Sequence, residues 1–281
     1  MPYEAHPNLV TPSDDSILWR YMDFAKFIDL LENSRLWFAR ADLLDDPREG
    51  DLTEAEVSQI RHSAPADLAE ANITAFRKLR RENFVNCWTT SGESMAMWDL
   101  YARGSAGVAI KSTVGGLKRA IVDAQDRVFI GVVEYLDWRT DTPWRNNVLS
   151  QYVRKDFGFA HEKEVRMIIW AAGSSMPTDV EAGDLARLHN LIRPLLVQRT
   201  GVERSAWRKI FEAAWDEASR RRAKPGLAVP VNLPDLIEEV VVSPRSKRER
   251  DLVERVVHKR YGLQSKPVCS SALSYEHHSP A

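Results

Sequence analysis

The apolar positions of this chain predict a series of short strands separated by helices of unequal length. Residues 17–21 (ILWRY) read as a strand, and Asp23 is placed to cap a helix in which Phe24, Phe27, Ile28 and Leu31 recur at helical spacing. Residues 36–39 (LWFA) form a second strand that runs into Asp45-Asp46-Pro47-Arg48-Glu49-Gly50, a turn signal. From Thr53 to about Glu82 the pattern is helical but polar, with a break at Pro65. Further strands are predicted over 84–89, 107–111 and 128–136. Between the first two, Ser94 stands as the N-cap of a helix carrying Met97, Trp98 and Tyr101, which Gly104 ends. Residues 151–157 read as a helical approach to an apolar run over 165–170 that has the composition of a buried strand.

Beyond Gly173 the periodicity changes. Two amphipathic helices are expected, near 181–199 and 204–222, the second striped by Trp207, Ile210, Phe211, Ala214, Trp215 and Ala218 and stopped at Lys224-Pro225-Gly226. Strand pattern returns over 237–242. Ser246 and Glu249 make a capping box for a helix burying Leu252, Val253, Val256, Val257 and Tyr261, and residues 266–273 give a last strand. The expected organisation is a loose arm over 1–14, an α+β domain over 15–172 and 233–273, a helical insertion over 173–232 and a disordered tail over 274–281. Strands without regular βαβ alternation argue for a mixed or largely antiparallel sheet with peripheral helices.

Composition narrows the picture only a little. The 281 residues are 44% hydrophobic and 28% charged, with a formal net charge of −1, so no global field draws the chain to polyanions. The N-terminus lacks the pattern of a signal peptide, and no apolar run approaches the ~20 residues that span a bilayer. Cys87 and Cys269 fit small residues in strands better than a disulfide, and the expected compartment is the cytoplasm. Nine tryptophans exceed what such a length needs, which leaves one or two free to line a pocket.

Ionisable chemistry concentrates next to apolar sequence in one place, KDFGFAHEKEVRMIIW over 155–170. In a strand alternate residues share a face, so Glu162, Glu164 and Arg166 line one side at the mouth of a buried run. Such charges are costly unless paired or used, and two readings stand: a catalytic set, or a structural ion pair in which Arg166 neutralises the carboxylates. The chain has no His-Glu-x-x-His, Cys-x-x-Cys, Gly-x-Ser-x-Gly or Gly-rich nucleotide fingerprint.

Taken together, Leu18-Trp-Arg-Tyr21, Leu36-Trp-Phe-Ala39, Asp45-Asp-Pro-Arg-Glu49, Cys87-Trp-Thr89, Met97-Trp-x-x-Tyr101, Gly107-Val-Ala-Ile110 and Glu162-x-Glu-x-Arg166 form an ordered motif set. In these motifs the chain resembles a widespread bacterial family of unknown function with an (N/D)DPxE turn, an MWxxY helix and an ExExR strand. The likeness covers about 17–172 and 236–273. It departs at Ala39-Arg40-Ala41, where many members carry serines, and in the length of the helical segment.

The order of an early strand Arg, a middle strand with a hydroxyl residue and a late Glu-x-Glu is also similar to the layout of ADP-ribosyltransferases. That likeness implies NAD as the cofactor. Arg20 would hold its pyrophosphate, Thr89 or Thr90 would supply the hydroxyl, and Glu164 would be the catalytic carboxylate. Glu162 would position a protein or nucleic-acid acceptor, and Trp98 with Tyr101 would stack on the nicotinamide. A toxin or defence effector would use such chemistry. Two alternatives remain. Asp46 or Glu49 with Glu164-x-Arg166 loosely matches a Mg²⁺-dependent nuclease, although an Arg stands where a Lys is usual. A non-catalytic sensor of nucleotides or phosphate would instead use Ser243, Arg245 and the helix start after them, where residues 243–261 carry seven cations against three carboxylates.

Overall fold

The computed structural model describes residues 3–102, 107–122, 126–143, 149–171, 220, 223–246 and 249–274. In chain order its elements are β1 (Ile17–Asp23), α1 (Phe24–Asn33), β2 (Arg35–Arg40), α2 (Glu54–Ser63), α3 (Ala66–Leu79), β3 (Asn83–Thr89), α4 (Met95–Tyr101), β4 (Gly107–Thr113) and α5 (Val114–Ala120). There follow β5 (Val128–Val132), β6 (Glu134–Leu136), β7 (Arg154–Asp156), β8 (Glu164–Trp170), β9 (Gly226–Pro230), α6 (Leu233–Leu236), β10 (Glu239–Val242), α7 (Arg250–Arg255) and β11 (Val268–Ser270). The fold is α+β. Nine of the strands make one mixed, mostly antiparallel sheet in the order β11-β10-β4-β1-β3-β2-β9, with β8 on β3 and β5 on β8. β10 and β11 run parallel, as do β6 and β7 in a separate ribbon.

Strand alternation divides the buried side chains between the two faces of this sheet. Leu18, Met22, Phe84, Val108, Ile110, Met167, Val240 and Val242 belong to the large core with Phe27, Leu30 and Leu31 of α1, Val114 and Leu117 of α5, and Leu236. On the opposite face Tyr21, Ala109 and Val241 meet Met97, Trp98 and Ala102 in a smaller cluster. The cap on α1 forms as read, with the Asp23 carboxylate accepting from the Lys26 amide at 2.8 Å. Thr53 and Glu56 close a full capping box on α2.

Several expectations fail for identifiable reasons. The described part of the arm, residues 3–14, is tied down: Tyr3 bridges to Val128, Leu9 is buried, and Thr11 Oγ1 donates to the Ile130 carbonyl at 2.7 Å. The run over 128–136 is two strands, because after Val132 the chain leaves β8 to pair with β7. The helical approach over 151–157 is a single 3₁₀ turn followed by β7. Gly226–Pro230, expected within the helical insertion, is an edge strand on β2, and the predicted helices at 181–199 and 204–222 lie outside the described residues except at Arg220, as does Gly104. Neither Ser94 nor Ser246 caps its helix by a side chain. Leu252 is exposed. The last strand is shorter than read, Val268–Ser270. Among the described residues no helix is long and apolar enough to cross a membrane.

Candidate active site in the fork of the sheet

The site begins with a branch in the sheet at β3. One edge of β3 pairs with β8 along its whole length, from Asn83↔Trp170 to Thr89↔Glu164. The other edge meets β1 only at Trp19↔Thr89 and β2 only at Ala39↔Val85 and Arg40↔Phe84. Between these contacts the sheet forks, and side chains satisfy backbone groups that a strand would have paired. Arg20 Nη1 donates to the Cys87 carbonyl at 2.6 Å, and Asn86 Nδ2 donates to the Trp37 carbonyl at 2.8 Å. Trp88 Nε1 in turn donates to Asn86 Oδ1 at 2.7 Å. The fork holds a cleft of about 440 Å³, within the usual range for small-molecule sites. β1 and α1 contribute Arg20 and Lys26 to its lining, β2 contributes Trp37, and Cys87, Tyr101, Glu162 and Glu164 are among the remaining lining residues.

A network of buried charge lies beneath these carboxylates. The register Cys87↔Arg166 and Thr89↔Glu164 puts all four residues on one face of the sheet. Arg166 is 1% exposed. Its Nη2 stands 2.7 Å from Glu164 Oε2 and 2.6 Å from Glu49 Oε2, while Nη1 donates to the Tyr152 carbonyl at 2.9 Å. Lys155 Nζ contacts Glu162 at 2.6 Å, Glu49 at 3.1 Å and Glu164 at 3.7 Å. Tyr101 donates to Glu162 Oε1 at 2.9 Å, and Tyr135 Oη accepts from the Glu164 amide at 2.8 Å.

Local backbone geometry aims these groups. Glu49 is delivered by the Asp-Pro-Arg-Glu-Gly turn, in which Gly50 adopts φ +69°, and a Cβ there would press on the Tyr152 ring. Lys163 is left-handed at φ 42°, an unfavourable conformation for a side chain of that size. Two threonines hold it there: Thr89 Oγ1 donates to the Glu162 carbonyl at 2.5 Å, and Thr90 Oγ1 to the Lys163 carbonyl at 3.2 Å. Glu162 therefore sits in a 3₁₀ turn rather than in the strand, and reaches the site by this reversal.

Charge states follow from burial and neighbours. Burial raises the Glu164 carboxyl, but Arg166 and then Lys155 outweigh it and hold its pKa below the ordinary value. Burial opposes the charges of Lys155 and Arg166 too, yet the surrounding carboxylates, Glu164 first, lift both above their usual values. Glu49 differs. It is almost fully buried, and its Oε2 approaches Arg166 without hydrogen-bond geometry, so desolvation dominates and its pKa is raised. Burial pushes Tyr135 up to about 12 and Tyr101 higher still.

The two carboxylates therefore oppose each other in pH dependence. A depressed pKa gives Glu164 stability that is present above its unfolded value of about 4.3 and lost as pH falls through the folded value. A raised pKa gives Glu49 stability that is present below about 4.3 and lost as pH rises through its folded value. Thermal unfolding of wild type and Glu49→Gln between about pH 4 and 7 should therefore show wild type losing ground to the variant as pH rises. Parallel curves would mean that Glu49 ionises as an ordinary surface carboxylate does.

The residues expected from sequence divide accordingly. Glu162, Glu164, Arg20, Thr89 and Tyr101 all line the cleft, with Arg166 directly behind it. Thr89 has its proton committed to a backbone carbonyl. Trp98 is not a stacking wall: it is 1% exposed and packs edge-on against Tyr21 at 4.7 Å. Asp46 stays in its turn, accepting from the Arg48 amide at 2.9 Å. Ser243 is buried and accepts from the Arg245 amide, while Arg245 pairs with Asp99 on α4; neither reaches the cleft. The sequence reading missed Lys155 as a site residue and assigned Glu49 only to a metal. Their signals, a Lys opening the charged stretch and a Glu closing the turn motif, are visible but do not state which residues meet. Residues from the segments 18–21, 36–39, 87–89, 97–101 and 162–166 line this cleft, whereas 45–49 and 107–110 do not. The chain itself matches no protein-family model, no curated protein and no solved structure at a significant level.

Proposed function

We propose that this cleft binds NAD and that the chain cleaves its nicotinamide–ribose bond, passing the ADP-ribosyl group to water or to an acceptor. The observation that supports the reading is the convergence of Arg20, Tyr101, Glu162 and an ionised Glu164 on one cleft of about 440 Å³. In the reaction the C1′–N bond breaks and its electron pair leaves with neutral nicotinamide, so positive charge develops on the ribosyl C1′ and ring oxygen. The carboxylate of Glu164, already fixed by Arg166 and Lys155, is oriented to stabilise that charge without reorganising. Arg20, which stays cationic although burial lowers its pKa, is suited to the pyrophosphate. Glu162, held between Tyr101 and Lys155, stands where it can take the proton of the attacking water as C1′–O forms, giving ADP-ribose, nicotinamide and a proton.

Geometry favours this over the two alternatives. Glu49 and Glu164 share Arg166 and Lys155 rather than an open space between them. Among the described residues no cluster of three or more His, Cys, Asp or Glu is arranged to ligate a metal.

The test is nicotinamide release from NAD by the purified chain, with and without chelator. We expect turnover that chelator leaves unchanged. No release, together with no thermal shift from NAD or ADP-ribose, would remove this reading, and release abolished by chelator would return the metal reading.

A further inference from the structure

Trp37 is the feature of the cleft that nothing above uses. A core tryptophan is normally hidden, yet Trp37 is 48% exposed while lining the same cleft as Arg20. Its position is built. The register Trp37↔Ala228 and Ala39↔Gly226 places two small residues and a glycine around the indole on β2 and β9. A Cβ on Gly226 would fall inside contact distance of Trp37 Cζ2 and Cε2 and of the Phe38 carbonyl oxygen, so the indole packs directly against a bare stretch of β9. The Trp37 carbonyl is anchored by Asn86 Nδ2, which fixes the backbone from which the ring projects. An indole packed on a glycine, half in water and lining a cleft, offers apolar aromatic surface to a ligand.

We infer that Trp37 is the stacking platform of this cleft, and that its ligand carries a planar heteroaromatic base and a phosphate that Arg20 holds. Lys26 and Arg35 also line the cleft, beside the carboxylates Asp29, Glu162 and Glu164, so cations and anions share its lining. The assignment rests on the reading of the cleft as a nucleotide site, and it moves the stacking role from Trp98, buried on α4, to a residue on strand β2. Gly226 becomes a positioning residue, because its missing side chain is what leaves room for the indole.

Titration calorimetry of wild type, Trp37→Ala and Trp37→Phe with adenosine monophosphate and with ribose 5-phosphate tests it. The two ligands share a phosphate and ribose and differ in the base. We expect Trp37→Ala to weaken adenosine monophosphate by about ten-fold or more while leaving ribose 5-phosphate unchanged, and Trp37→Phe to keep most of the affinity. The exposure of Trp37 means that the variants should melt within a few degrees of wild type. Adenosine monophosphate binding within two-fold of wild type in Trp37→Ala, or an equal loss for both ligands, would overturn the inference. So would failure of wild type to bind adenosine monophosphate, guanosine monophosphate or flavin mononucleotide. Base-dependent binding through Trp37 without any NAD cleavage would sustain the platform and discard the glycosidic reaction alone.

Discussion

Glu164→Gln should lower kcat for nicotinamide release by about 10²–10³-fold, with KM within a few-fold of wild type and the fold retained. The argument is one of charge. Glutamine keeps the length, the shape and an acceptor oxygen for Arg166 Nη2, which now stands 2.7 Å from Glu164. It removes the negative charge that the developing ribosyl cation would feel. The cationic partners are not stranded, because Lys155 still faces Glu49 and Glu162, and Arg166 still faces Glu49. A split between kcat and KM is the diagnostic result, since a purely structural ion pair would show its loss in melting temperature and leave any turnover per folded molecule intact. If Glu164→Gln turned over NAD as wild type does, Glu164 would be assigned to the scaffold.

Arg166→Met should be the most damaging single change to stability, costing about 3–5 kcal/mol, or a melting temperature lower by about 10 °C. The side chain is 1% exposed and is the near cation for two buried carboxylates. Without it Lys155 alone must compensate Glu49, Glu162 and Glu164. Removing one of the surplus charges should help, so Arg166→Met combined with Glu49→Gln is expected to recover part of the loss. Glu49 is the carboxylate to remove because burial already raises its pKa. Chemical denaturation of the two single variants and the double variant measures this coupling. A double variant no more stable than Arg166→Met would show that Arg166 acts through packing and its bond to the Tyr152 carbonyl rather than through charge.

Local patterns in the sequence carried most of the secondary structure. Alternating apolar residues placed β1 to β4 and β8 within one or two residues, the Asp23 cap formed, and Pro65 separated α2 from α3. These features depend on neighbours in the chain, so they are visible without tertiary information. The concentration of charge at 155–170 was also legible, because an ionisable cluster abutting a buried strand is costly wherever it occurs.

What no local pattern could decide is which distant residues share a space. Glu49 and Arg166 are far apart in sequence and meet at 2.6 Å only because β3 carries β8 on one edge and lets β1 and β2 part on the other. The same spacing that read Trp98 and Tyr101 as one aromatic wall leaves Trp98 in the core and Tyr101 in the cleft, since α4 turns only one of them toward Glu162. The strand at 226–230 followed a long helical pattern and offered only five residues, too few to announce a pairing with β2. Composition and periodicity therefore determined the elements and the presence of costly buried charge, whereas the fork, the cleft and the exposed Trp37 arose from long-range strand pairing, whose partners are chosen by the packing of the whole sheet.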